Sequence, residues 1–184
     1  MRAEIDFPGN LRLGHRTRLH ACRIIARGRI EIGAHSTVLD FAVLDTEDHA
    51  GRITIGASTL VGLLSVICGG GGVTIGDDSL LAPQVTIIST DHNSDDVTRP
   101  IGAQGTVRRP VDIASDVWLG AHCSVLGGST IGSGAIIGAN SVVKGKVPPY
   151  VIAAGAPARI LRQRSAADSN PRVLSAEAPA MSGA

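Results

Sequence analysis

From Ile113 onward every sixth position is aliphatic: Ile113, Leu119, Val125, Ile131, Ile137 and Val143. Four places after each comes a mostly small residue, giving Val117, Cys123, Ser129, Ala135, Ser141 and Val147. Two offsets per hexad therefore point inward. Earlier parts of the chain keep the register in triplets separated by small insertions: Ile32, Val38, Leu44; Ile55, Val61, Ile67; Ile75, Leu81, Ile87. Neither a 3.6-residue helical period nor simple alternation generates a strict six. A turn between short strands does, and three hexads close one triangular coil of about 18 residues. The pattern predicts an all-β, single-stranded parallel β-helix. Residues 13–160 without the irregular stretch 89–112 make about seven coils, each rising roughly 4.8 Å, for a prism on the order of 34 Å long. Gly directly follows the aliphatic residue at Gly120, Gly132 and Gly138, where a corner needs little or no Cβ obstruction.

Composition sharpens this picture. The chain has 184 residues, and Ile, Val, Leu and Phe number 50 of them, well clear of disordered composition. Only four rings are present, Phe7, Phe41, Trp118 and Tyr150, against 23 glycines. A core of Ile, Val, Leu and Ala without rings is narrow, which suits thin layers stacked along a prism and not packed helices and sheets. The formal net charge of +1 argues against a nucleic-acid partner. No apolar stretch reaches the roughly 18 residues of a membrane helix, and the start MRAEIDFPGN lacks an apolar signal segment, so a soluble, cytoplasmic protein is expected. Cys22, Cys68 and Cys123 are odd in number and far apart, which argues against disulfides and a thiolate zinc site.

The six-residue rule fails between Ile88 and Val111, where STDHNSDDVTRPIGAQGTVRRP is inserted. A long polar excursion from a regular domain points to function, and it holds His92. A second interruption, Cys68–Gly72, ends in four glycines and marks a tight corner or a place where another backbone or a ligand comes close. Residues 1–164 are expected to form one domain with an extruded loop at 89–112, and 165–184, rich in Ala, Ser, Pro and charge, a flexible tail. Arg12, Arg16, Arg18, Arg23, Arg27 and Arg29 form a basic stretch that contains no carboxylate, either a solvated face or an attractor of an anionic glycan.

The hexads, together with STDHNSDDVTRPI, VDIASDVWLG and IGANSVVKGKVPPYVIAAGAPARIL, resemble the hexapeptide-repeat acyltransferases. The likeness covers about residues 30–163 and is greatest to the sugar and polysaccharide O-acetyltransferases of the maltose, galactoside and colanic-acid types. It implies a left-handed β-helix, a hand that crossover statistics alone do not favour. It also implies a homotrimer with active sites in the clefts between subunits, and acetyl-CoA as acyl donor with no metal. His92 falls on the family's catalytic histidine, and Trp118 on the tryptophan of its V-W-[IL]-G motif. Ala121 and Ala139 fall where backbone flanks the pantetheine arm, and Lys144, Arg159 and Arg162 where cations meet the nucleotide's phosphates. Gly62 stands where galactoside enzymes have a sugar-binding asparagine, so the acceptor site departs from that type.

Acetyl transfer from a thioester to a hydroxyl needs a base for the acceptor's proton and an acid for the departing thiolate, and histidine serves both near neutral pH. The expected reaction is direct transfer to a sugar or glycan hydroxyl, a backbone N–H stabilising the oxyanion. Asp91, Asn93 and Asp96 are candidates for orienting His92 or binding the acceptor. Asp91 in an extended chain points away from His92, so Asp95, Asp96 or a carbonyl is as good a partner for the ring. Trp118 is expected to wall the cleft. Transfer to an amino group uses the same base and stays open. So do a zinc hydratase, for which His15 and His20 offer an H-x4-H spacing without an evident third ligand and His122 is equally well an exposed residue after the tryptophan motif, and a non-catalytic scaffold.

Overall fold

The computed structural model describes residues 2–165; the expected tail lies, apart from Ser165, outside them. The chain is wound as a parallel β-helix with three flat faces, consistent with the left hand that the resemblance implies. Each face holds seven parallel strands, and on the third face the antiparallel strand Arg159–Gln163 adds an eighth. The first coil uses Glu4–Asp6, Leu11–Leu13 and Arg18–Leu19, so winding starts before the expected position 13. The fifth uses Thr86–Ile88, Val111–Ile113 and Trp118–Leu119.

Every aliphatic residue of the six-residue register is buried, from Ile32 and Val38 to Ile137 and Val143. Ladder pairing stacks like on like: Ile67 lies beside Leu44 and Ile87, and Val125 beside Ile87 and Val143. The rings stay out of this interior, as the narrow core requires: Phe7, Phe41, Trp118 and Tyr150 are 49–56% exposed. The small inward offset holds hydroxyls as well as methyls. Ser36 Oγ donates to Gly56 O at 2.7 Å, and Thr59 Oγ1 to Gly76 O at 2.9 Å. These buried hydroxyls each tie a corner to the next coil, so burying them leaves no polar group unpaired.

The corner glycines answer to crowding. A Cβ on Gly76 would lie 2.5 Å from Ser115 N of the following coil. The left-handed backbone turn comes two residues later and is carried by ordinary side chains, among them Ser58, Asp78, Asp116 and Asn140.

The major interruptions fall at one corner, between the first and second faces. The third coil inserts Thr46–Gly51 there, the fourth Gly69–Gly72, and the fifth the long excursion. That excursion is an antiparallel hairpin, Thr90–His92 against Thr106–Arg108, where an irregular loop was expected. Its tip is organised by Gln104, whose Nε2 donates to Asp96 O and Arg99 O and whose Oε1 accepts the Asp96 N–H.

Candidate active site

His92 ends the outgoing strand of the hairpin, opposite Thr106, with its side chain exposed. Beneath it, on the outside of the first face, Cys68, Ile88 and Leu126 form one ladder row through three coils. In the hexad register each follows an inward residue (Ile67, Ile87, Val125) and so points out. Hairpin and row line an open cavity of about 520 Å³, with Thr90, Asp91, His92 and Thr106 from the hairpin and Glu47 and Gly127 completing the lining. A histidine beside an apolar row can take or give a proton to a group seated against that row.

Two adjacent carboxylates from the third coil grip the hairpin's root. Glu47 accepts from Thr90 Oγ1 at 2.9 Å and from Gly70 N–H at 2.9 Å. Asp48 pairs with Arg108, whose Nη1 also donates to Gly70 O at 3.2 Å. Thr90 and Arg108 are direct cross-strand partners, so one dipeptide holds both hairpin strands. The Arg108 guanidinium, by hydrogen bonding, holds the Asp48 carboxyl below its usual range. Burial, with the nearby Glu47 and Asp45 carboxylates adding to it, pushes the Cys68 thiol up to about 11, so this thiol is neutral at physiological pH.

The structure places the sequence-derived candidates as follows. The Asp91 carboxylate accepts the backbone N–H of His92 at 2.9 Å and not its ring. Asn93 closes the loop, its N–H to Gly105 O and its Nδ2 to Gln104 O. Asp96 accepts the Thr98 N–H and hydroxyl, and those bonds lower its pKa. Among the described residues nothing hydrogen-bonds the His92 imidazole. Trp118 sits on the third face, in an outward apolar row with Leu60, Leu80, Ile136 and Ile152. Ala121 and Ala139 stack at the corner between the third and first faces, Asn140 N–H donating to Ala121 O, while the amides of both alanines have no acceptor among the described residues. Lys144 is exposed at the hairpin's own corner, two coils on, and Arg159 and Arg162 lie on the added strand of the third face. A single chain thus divides the candidates between a corner carrying His92 and Lys144 and the face opposite it, with one of that face's corners. Of the histidines weighed for zinc, His15 packs edge-to-face on His35 at 5.8 Å. Among the described residues no group of three or more His, Cys, Asp or Glu side chains is placed to hold a metal ion. No helix there is long and apolar enough to cross a membrane.

Glu47, Asp48, Cys68, Thr90 and Arg108 belong to the site without having been expected there. The signal was present for the first three: TEDHAG breaks the register at the same corner as the hairpin, and Cys68 occupies an outward position by count.

A repeat of hexads around a triangular prism, with a histidine on a hairpin from one corner, defines a class of transferase folds. The family described as bacterial transferase hexapeptide (six repeats) matches residues 110–145. A hexapeptide-repeat acetyltransferase of Vibrio cholerae superposes with a TM-score of 0.59 at 30% identity over 86% of this chain and 77% of that one. The chain belongs to the hexapeptide-repeat transferase family. Galactoside O-acetyltransferase of Escherichia coli is 42% identical over 91 residues, 50% of this chain and 44% of that protein. AntD of Bacillus cereus, an N-acyltransferase solved as a mutant with dTDP and coenzyme A, is alike in fold, with a TM-score of 0.69 at 21% identity over 84% of this chain and 87% of that one. The chain spans about half the length of the curated relatives it matches, including a protein of Mycobacterium tuberculosis named as a probable acetyltransferase, of which it covers 51% at 37% identity over 85% of this chain.

Proposed function

We propose that the protein transfers an acetyl group from acetyl-CoA to a hydroxyl of a sugar or glycan, with His92 as general base. The observation that carries this is His92 itself, exposed at the end of a braced hairpin over the apolar row Cys68–Ile88–Leu126. In the reaction the imidazole takes the acceptor's hydroxyl proton as oxygen attacks the thioester carbon. A tetrahedral oxyanion forms and accepts a backbone N–H. The C–S bond then breaks, and the thiolate leaves with the proton from the imidazolium. No covalent intermediate is needed, which agrees with a neutral Cys68.

A hydroxyl gains more from a base than an amine does, because a neutral amine attacks with its lone pair before losing a proton. That chemistry, and the O-acetyltransferase named among the relatives, favour oxygen as acceptor; the fold likeness to AntD keeps an amino sugar as the second reading. The division of candidates between a corner and the opposite face supports a homotrimer. There His92 and Lys144 of one subunit would face the Trp118 row, the Ala121 and Ala139 amides and the arginines of the next, closing the exposed apolar face. Thiol release from acetyl-CoA, followed across sugars, nucleotide sugars, oligosaccharides and amino sugars, tests the reading. The His92→Ala protein should lose at least about a hundredfold in rate. Near-normal turnover in that variant refutes the assignment, and a monomer by light scattering refutes the shared cleft.

A further inference from the structure

The basic stretch Arg12–Arg29 is taken apart by the winding. Arg23 goes to the first face and pairs with Asp6 at 3.5 Å. Arg18 goes to the third face, and Arg16 to the corner before it. Arg12, Arg27 and Arg29 alone return to one place, a cavity of about 380 Å³ at the corner between the first and second faces, where Asn10 and His49 complete the polar lining. Among the described residues no carboxylate lines it.

The arrangement is built and not merely charged. Asp45 holds Arg27 through Nη1 at 3.0 Å, and Glu31 holds Arg29 through Nη2, each using one nitrogen of a guanidinium. The remaining N–H groups of both forks have no acceptor among the described residues, and the guanidinium of Arg12, which lies cross-strand from Glu31, makes no hydrogen bond or ion pair there. Asn10 Nδ2 donates to Ala26 O and Arg27 O, both at 2.9 Å, and so fixes the first coil's corner on the second. His49 Nδ1–H donates to Arg27 O at 3.0 Å, so its Nε2 can donate to an anion only in the protonated ring. Three guanidinium forks without a lining carboxylate match the planar or tetrahedral oxygens of an oxyanion, which such forks bind in pairs.

The cavity and the His92 hairpin share a corner, and one segment serves both: Glu47 and Asp48 grip the hairpin, and His49 lines the cavity. From the second coil, which carries Arg27, to the fifth, which carries the hairpin root, is three layers, or about 14 Å along the prism.

We propose that this cavity is an oxyanion subsite, binding a carboxylate or phosphate carried by an extended acceptor whose reacting group lies at His92. Only the identification of the ligand as the acceptor rests on the acetyl-transfer reading. Calorimetry of the full chain at low salt, with trigalacturonate and with pyrophosphate as probes, tests the subsite and tells the two sources apart. The preferred probe should bind, and weaken at least about fivefold when ionic strength rises from about 50 to about 500 mM. Arg12→Gln, at an exposed position, should weaken it at least about fivefold, while Arg16→Gln, the same loss of charge at another corner, leaves it unchanged. Binding of neither probe, or Arg12→Gln binding as well as the unsubstituted protein, overturns the proposal. A protein that releases no thiol from acetyl-CoA yet shows Arg12-dependent binding keeps the subsite and loses the acetyl-transfer reading. One that turns over and binds neither probe loses the subsite alone.

Discussion

A methyl group added at Gly71 would strike the root of the hairpin. An ideal Cβ there lies 2.2 Å from Ser89 O and 2.9 Å from Arg109 N, both backbone atoms of the segment that leaves and rejoins the coil around His92. Reaching an ordinary contact of 3.4 Å requires a shift of about 1.2 Å. The atoms in the way are already engaged: Gly71 N–H donates to Ser89 Oγ at 2.9 Å, and Arg109 N–H to Ser89 O at 2.8 Å. Losing both bonds costs about 1–3 kcal/mol, and strain from overpacking adds about 1–3 kcal/mol. Gly71→Ala should therefore lose about 2–6 kcal/mol of stability by urea titration, read as a shift in midpoint at constant slope. Because relaxation moves the hairpin, turnover should fall at least about tenfold as well. Gly102→Ala is the matched control. Its Cβ meets nothing within 4 Å, and it sits on the short turn Ile101–Ala103, so it should be neutral or gain up to about 1 kcal/mol through the unfolded chain. Unfolding free energies for the two variants that agree within about 0.5 kcal/mol would refute the claim that the glycine run exists to admit the hairpin root.

Three further outcomes are expected. Cys68→Ser should keep at least about half the activity, and Cys68, neutral until about pH 11, should react with iodoacetamide at pH 8 far more slowly than free cysteine; fast alkylation there contradicts the neutral thiol. Asp48 has its folded pKa depressed below its ordinary 3.8, so the brace it forms with Arg108 is fully present above that value and is lost as pH falls through the lower folded value. Amide exchange in Thr90–His92 and Thr106–Arg108 should accordingly stay protected from neutral pH down to about 4 and loosen only below, whereas Asp48→Asn should loosen the hairpin already at neutral pH. Ile87→Ala, at a fully buried position between Ile67 and Val125, should cost about 2–5 kcal/mol in urea, and Ile87→Val about 0.5–1.5 kcal/mol.

Most of the fold was legible because a solenoid repeats its instruction. The period of six names the inward residues coil by coil, and Ile113 to Val143 are buried as counted. The glycine run was readable as a close approach for the same reason, since it interrupts the count. The site was less legible. His92 stood out by lying in the longest interruption, but its brace is formed by residues 43 and 60 positions apart in sequence, Glu47 with Thr90 and Asp48 with Arg108. No local pattern announces a pairing that depends on which corner each insertion leaves. Asp91 and Asp96, short side chains in a turning loop, each accept a nearby backbone N–H in the single chain and do not bond the His92 ring.

The corner that gathers the interruptions also insulates them. Ile87 keeps its ladder partners Ile67 and Val125, and Ile113 keeps Ile75 and Ile131, on either side of the point where the hairpin departs. The prism registers only that the chain leaves after Ser89 and returns at Val111. What happens in between is a replaceable cassette: a hairpin of another length, grafted with Thr90, Arg108 and a bare Gly71 retained, would inherit its bracing from the third coil. Changes in the hairpin can then accumulate at one edge of the molecule while the interior stays the same.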